Sequence, residues 1–323
     1  MRMATIAAGV AIALTAAAPA WAQKWDMPLA YPATNYHSEN AAAFGKCVAG
    51  ATGGKLNIVT HPNGSLFSGN DIKRAVQTGQ APIGERLISA HANENPLFGV
   101  DSVPFLATSF ADSAKLWKAA EPKIAEALAK QNLIYLYAVP WPPQGFYFKK
   151  PVASVADMKG IKFRAYNAAT ARIAALAGMV PVQIEAAELS QALATGVAES
   201  FISSGSTGVD SKAWESLKYF YDVQAWLPRN VVFANKSAFE GLDAATQQAV
   251  RGCAATAATA GAKTAEDLTA GYLKTLAANG MTVEAPSPQL KADLARMGVT
   301  MTEDWLKAAG PDGKAVIDAY RAQ

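Results

Sequence analysis

Residues 155–167 read VADMKGIKFRAYN and set one arginine, Arg164, among Ile161, Phe163 and Tyr166, which are apolar or aromatic. The spacing predicts a strand. A guanidinium near the carboxyl end of a strand in an α/β sheet points into the crevice where such sheets bind ligands. Arginine is permanently charged and its planar fork matches a carboxylate, so it suits the orienting of an organic acid. A structural salt bridge with Glu185 or Glu199 explains the same residue equally well.

Outward from this strand, helices and strands alternate. Downstream come a helix over AATARIAALAG, the strand MVPVQI, a helix over AAELSQALATG and the strand AESFISSG. Upstream, KWDMPLAY, KLNIVTHP and APIGERLIS have extended patterns. They alternate with helices over SENAAAFGKCVAGATGG, with Ser38 as its candidate N-cap, and SGNDIKRAVQTG. SFADSAKLWKAAEPKIAEALAKQN is an amphipathic helix. LIYLYAVPW is a continuously apolar strand, expected to be buried on both faces. The proline-bearing segments PWPPQG and KKPVAS follow it and mark a crossing between lobes. Two α/β units in series result. Residues 243–280 are alanine-rich and free of proline, which predicts a helix ~55 Å long that runs across both lobes. SPQLKADLARMG and TEDWLKAAGPDGKAVIDAYRAQ supply two more helices. The lobes are expected at 23–148 with roughly 230–262, and at 149–229 with roughly 263–323.

The chain of 323 residues is 51% apolar, enough for a sizeable core. Its 29 Lys and Arg against 26 Asp and Glu give a formal charge of +3 without a basic run, which excludes polyanion binding and leaves no nucleic-acid partner. Arg2, the apolar run ATIAAGVAIALTAAA and Ala20-Trp21-Ala22 form a secretory signal, with cleavage expected before Gln23. The run is shorter than the ~20 residues that span a bilayer. Cys47 and Cys253 are the only cysteines, too few for a zinc or CxxC site. In an oxidising compartment they either pair, stapling an early helix to a late one, or remain buried thiols.

No enzyme motif is present. His37, His61 and His91 have no metal-ligand spacing, and GxSxG, GxxxxGK[ST] and GxGxxG are absent. Glu185 and Glu188 read as acids at a helix start, favoured by the macrodipole. Neither catalytic residues nor a cofactor nor a metal is expected. Aromatic residues gather in segments directed at one crevice: Trp141, Phe146 and Tyr147, then Phe201, then Tyr36 beside His37. An apolar wall with a few polar groups describes a small-molecule site. Core packing explains most of them individually. FISSGSTG crowds Ser203, Ser204, Ser206 and Thr207 into a hydroxyl-rich turn that offers hydrogen bonds to a ligand or to solvent.

VADMKGIKFR resembles the D-L-K-G-x-K-x-R segment of the solute-binding proteins of tripartite ATP-independent periplasmic (TRAP) transporters. GMVPVQIEAAELSQALATGVAES, VDSVPFL and GSLFSGNDIKRAVQTG are similar to further stretches of that family, in the same order. The resemblance covers nearly all of the chain after the signal. It implies an α/β, two-lobed periplasmic binding protein fold, type II-like, with a long helix spanning both lobes. It also implies closure on a small organic acid, Arg164 clamping the carboxylate, and delivery to a TRAP permease by a monomeric periplasmic protein. The expected ligand-binding residues are Arg164, Tyr147, Trp141, Phe201, Ser203, Ser204, Tyr36, His37, Ser89 and Asn230, with Trp226 as a further aromatic. Many members carry a second arginine where this chain has Tyr147, and Val197-Ala198-Glu199 replaces the usual V-D-G. Loss of that cation argues for a monocarboxylate with an apolar or aromatic body, such as an aryl 2-oxo or 2-hydroxy acid. A dicarboxylate, a sugar acid, or service to a sensor kinase are the alternatives.

Overall fold

The computed structural model describes residues 22–323, so the expected secretory signal lies outside the described residues except for Ala22. In chain order the strands are β1 Gln23–Pro28, β2 Leu56–His61, β3 Ile83–Leu87, β4 Leu133–Pro140, β5 Gln144–Phe148, β6 Lys162–Ala165, β7 Val180–Gln183, β8 Ser200–Ser204, β9 Tyr219–Tyr221, β10 Arg229–Asn235 and β11 Thr282–Glu284. They build a two-lobed α/β fold. One lobe holds the parallel pair β1–β2 beside the antiparallel sheet β3-β10-β4. The other holds a six-stranded sheet in the order β11-β9-β5-β8-β6-β7. β5 pairs with β8 and β9, so residues 144–148 sit in the second sheet rather than closing the first lobe as expected.

Two extended segments cross between the sheets, residues 141–143 from β4 to β5 and 222–228 from β9 to β10, while the long helix carries the chain from β10 to β11. The two extended segments are tied side by side: Trp141 N donates to Pro228 O at 2.7 Å, Gln144 N to Trp226 O at 3.0 Å, and Ala225 N to Gln144 O at 3.0 Å. Asp101 receives the backbone N–H of Arg229 at 2.8 Å where β10 begins. Expected burial of β4 on both faces is not what the structure has. β4 is the edge of an antiparallel sheet, and Ile134, Tyr135 and Leu136 are only partly covered.

Local chemistry sets the helix ends. The first helix runs Tyr36–Ala51 and its cap is Asn35, not Ser38: the Asn35 side chain accepts from His37 N at 2.9 Å, while Ser38 bonds Tyr31 O instead. The long helix spans Ala244–Ala278, capped by Asp243 through Thr246 N at 2.7 Å and ended by Gly280 at φ +89°. It packs on the first helix and β4 at one end and on the helix Gly205–Asp210 and β11 at the other, so it spans both lobes. Val250, Cys253, Ala254, Ala257, Gly261 and Ala265 form its buried stripe. A Cβ at Gly261 would meet Val139 at 2.6 Å, so only glycine allows this helix to lie so close to β4. The last helix, Pro288–Arg321, is broken at Gly310 (φ 58°, ψ −144°) ahead of Pro311, not near Gly298 as the sequence pattern suggested.

Cys47 and Cys253 are disulfide-bonded with a Cα–Cα separation of 5.8 Å, and they rivet the first helix to the long one. The bond closes a loop across a sequence separation of 206 residues, which removes much of the unfolded chain's freedom. Replacing both cysteines by serine is expected to lower the unfolding free energy by about 2–4 kcal/mol, seen as a lower urea midpoint; an unchanged midpoint would show that the bridge adds nothing.

Candidate functional site

Between the lobes lies a pocket walled by residues of both. Strand ends from both sheets and the crossing segments reach it: Arg86 from β3, Arg164 from β6, Glu185 just past β7, Ser203 from β8, and Trp141 and Gln144 at the crossing. The position, outside the carboxyl ends of the strands, is the one at which open α/β sheets bind ligands.

Arg164 is 3% exposed. Its Nε donates to Ile184 O at 2.9 Å, and its guanidinium carbon lies 5.1 Å from the centre of the Tyr166 ring. These two contacts hold the side chain and leave its terminal amines without a protein acceptor among the described residues. No carboxylate stands within 4.0 Å of it there; the salt bridge with Glu185 or Glu199 does not form. Burial draws the Arg164 pKa downward, opposed by the neighbouring Tyr166 and Glu185. Arginine keeps its charge nonetheless. A desolvated cation of this kind attracts an anion strongly.

Glu185 pairs with Arg86 instead, Oε1 to Nη2 at 3.0 Å, and the same amine donates to Asn70 Oδ1 at 3.0 Å. Gly69 lies against both side chains: a Cβ there would run into Glu185 Oε2 and approach Arg86 Nη1 to 2.6 Å. This ion pair crosses from one lobe to the other. Two further bonds do the same, Asn167 Nδ2 to Ser89 Oγ at 3.0 Å and Asn35 Nδ2 to Asp210 Oδ2 at 2.7 Å, the latter amide also reaching Ser206 Oγ at 3.3 Å. The lobes are thus closed on each other around the pocket.

Of the residues expected from sequence, Arg164, Trp141 and Ser203 line the pocket. Tyr147 and Phe201 do not. They face each other across β5 and β8, stack at 4.1 Å, and sit in the apolar core with Phe220, Leu189 and Leu276. The Tyr147 hydroxyl is turned to Ser204 O at 2.8 Å. Phe201 is the register partner of Arg164 and stands two residues before Ser203, so the rings share the sheet face of these pocket residues but are covered there by the core of their own lobe. Ser204 caps the helix Gly205–Asp210, Tyr36 donates to Pro140 O at 2.6 Å, and Ser89 bridges the lobes. Trp226 is fully buried and donates to the Tyr166 hydroxyl at 3.2 Å. Tyr166 in turn donates to Gln144 Oε1 at 3.1 Å, so Trp226 supports the wall from behind.

His37 and Asn230 also stand behind the wall. The His37 ring is 4.2 Å from Trp141, fully buried, with its pKa pushed well below the usual value by burial. Asn230 receives the Trp141 indole N–H at 2.8 Å and donates to Glu85 at 2.8 Å. Glu85 is fully buried, and burial pushes its pKa up to about 7 against the opposing bond from Asn230. Sequence reasoning missed Arg86, Tyr31, Gln144 and Tyr166 on the pocket wall, which Thr207 of the hydroxyl-rich turn also joins. Among the described residues no group of three His, Cys, Asp or Glu could hold a metal ion, and no helix is long and apolar enough to cross a membrane.

The sequence profile of the bacterial extracellular solute-binding proteins, family 7, matches residues 30–308. A solved marine metagenome TRAP solute-binding protein specific for pyroglutamate, in complex with co-purified pyroglutamate, is 57% identical, with 94% of this chain and 99% of that one covered and a TM-score of 0.93. DctP6, a Bordetella pertussis extracytoplasmic solute receptor binding pyroglutamic acid, is 50% identical over 93% of this chain and 100% of its own, with a TM-score of 0.92. The outer membrane transporter protein TsaT of Comamonas testosteroni is 24% identical over 288 residues, 85% of this chain and 84% of the relative.

Glu85 gives the stability a pH dependence. Its folded pKa, about 7, lies above the ordinary 4.5, so between these values the folded chain holds a proton that the unfolded chain has lost. Stability from this group is complete below about pH 4.5 and declines as the pH rises through 7. Asp101, also raised to about 7 by burial, adds to the same slope. Glu85→Gln keeps the hydrogen bond to Asn230 and is expected to raise the melting temperature at pH 8 relative to that at pH 5, compared with the wild type; an unaltered profile would exclude Glu85 as a source.

Proposed function

The chain belongs to the bacterial extracellular solute-binding proteins of family 7, and on that premise we propose that it captures pyroglutamate outside the cytoplasm and delivers it to a TRAP-type permease. Arg164 carries the reading. It is a buried guanidinium fixed through Nε, with terminal amines left for the pocket between the lobes. Pyroglutamate bears one carboxylate on a compact lactam ring. Its carboxylate lies in the Arg164 fork, and the ring lies among Trp141, Tyr31 and Tyr166. The two solved relatives at 50% identity and above, both pyroglutamate receptors by their descriptions, support the choice of ligand.

Charge supports a monoanion. Arg86 is the second cation of the pocket, and Glu185 already engages it. An aryl 2-oxo or 2-hydroxy acid is the weaker reading, because Tyr147, Phe201 and Trp226 pack in the core and leave a smaller aromatic wall than the sequence suggested.

Binding and closure are one equilibrium in this account. The ligand touches groups of both lobes together only in the closed form, so it shifts the population toward that form. Removing Arg164 leaves the bound carboxylate buried without its partner, a loss of about 3 kcal/mol or more. Calorimetry on protein unfolded and refolded to strip bound acid is the test. The wild type is expected to bind pyroglutamate, and Arg164→Ala to bind it about a hundredfold or more weakly. Near-normal affinity in the variant would refute the clamp.

A further inference from the structure

We infer that Glu185 sets the charge of the acid this cleft accepts: by occupying Arg86 it leaves Arg164 as the one cation open to a carboxylate. The inference rests on the reading of the pocket as a carboxylate receptor. Three charged side chains line the pocket, Arg86, Arg164 and Glu185. Two cations and one anion leave a single unbalanced positive charge. That balance suits one carboxylate and disfavours two.

The pairing is built rather than incidental. Arg86 is 3% exposed and held by both Asn70 and Glu185. Gly69 supplies the space that the two side chains share, which any larger residue would invade. Glu185 follows β7 directly, and its own N–H is engaged by Glu188 at 3.3 Å, which fixes the backbone from which the carboxylate reaches across. A second carboxylate entering near Arg86 would meet the Glu185 carboxylate, and repulsion between like charges at short range is only weakly screened by salt when the charges are partly buried. Discrimination then comes from an element that repels the wrong ligand as well as from one that attracts the right one.

With Glu185→Gln the pocket holds two unbalanced guanidinium groups, and a linear dicarboxylate of suitable reach gains a second partner. With Arg86→Gln the pocket is neutral overall, and an unpaired carboxylate faces the acid. With both substitutions the single net positive charge returns. Calorimetry with pyroglutamate and glutarate on the four proteins separates these cases. In Glu185→Gln the ratio of glutarate to pyroglutamate affinity is expected to rise about tenfold or more, and in the double variant to fall back toward the wild-type ratio. Arg86→Gln alone is expected to bind pyroglutamate more weakly than the double variant does. This second comparison stands even where Glu185→Gln fails to fold. An unchanged ratio in Glu185→Gln, or a double variant no better than Arg86→Gln, would overturn the role given to Glu185 while leaving the Arg164 clamp in place. A wild type that binds no monocarboxylate would instead remove the functional reading, and the inference with it.

Discussion

The rest of the structure is arranged around one buried cation. Arg164 is withdrawn from water at the end of β6, its Nε satisfied by the carbonyl of Ile184 and its plane near the face of Tyr166. Taking a charge out of water is costly unless charge or hydrogen bonds replace the lost solvation. The protein supplies only part of that replacement. What remains open is a pair of parallel N–H donors at the meeting point of two lobes, the geometry to which a carboxylate is the natural complement.

The second constraint is how the lobes meet. Their contact across the pocket is polar: Arg86 with Glu185, Ser89 with Asn167, and Asn35 with Asp210. Each is a directional contact between side chains capped or held by their own lobe. Asn35 and Asn167 both cap helices with the side-chain oxygen and use the remaining amide donors to span the gap. Hydrogen bonds of this kind can be exchanged for water on opening, since each is worth about 1 kcal/mol net, or roughly 1.5–3 kcal/mol where a charged group takes part. An apolar seam of the same area would be harder to reopen.

Much of the architecture was legible because it is local. Helix periodicity, glycine stops and the alternating α/β order each announce themselves within a dozen residues, and so did Arg164 in its strand. The ion pair that complements it did not. Arg86 and Glu185 stand 99 residues apart in the chain and belong to different lobes, so no window contains both. Glu185 could be seen only as an acid at a helix start or a partner for Arg164. The aromatic residues failed for another reason: β5 and β8 are buried along their whole length and Phe201 shares its sheet face with Ser203, so neither burial nor alternation separates a ring in the core from a side chain on the pocket wall. Asn35 displaced Ser38 as helix cap because several capping residues lie within one turn of each other, where boundaries are least determined.

Trp141, Gln144 and Pro228 form part of the pocket wall and also belong to the two hydrogen-bonded connections between the sheets. Selectivity and mechanical compliance therefore draw on the same few positions. An evolutionary change that reshapes this wall for a new guest also resets the ease with which the molecule gapes, so the two properties must drift together. Nor does Glu185 escape this coupling, since its ion pair with Arg86 lies on the pocket wall and also bridges the two lobes.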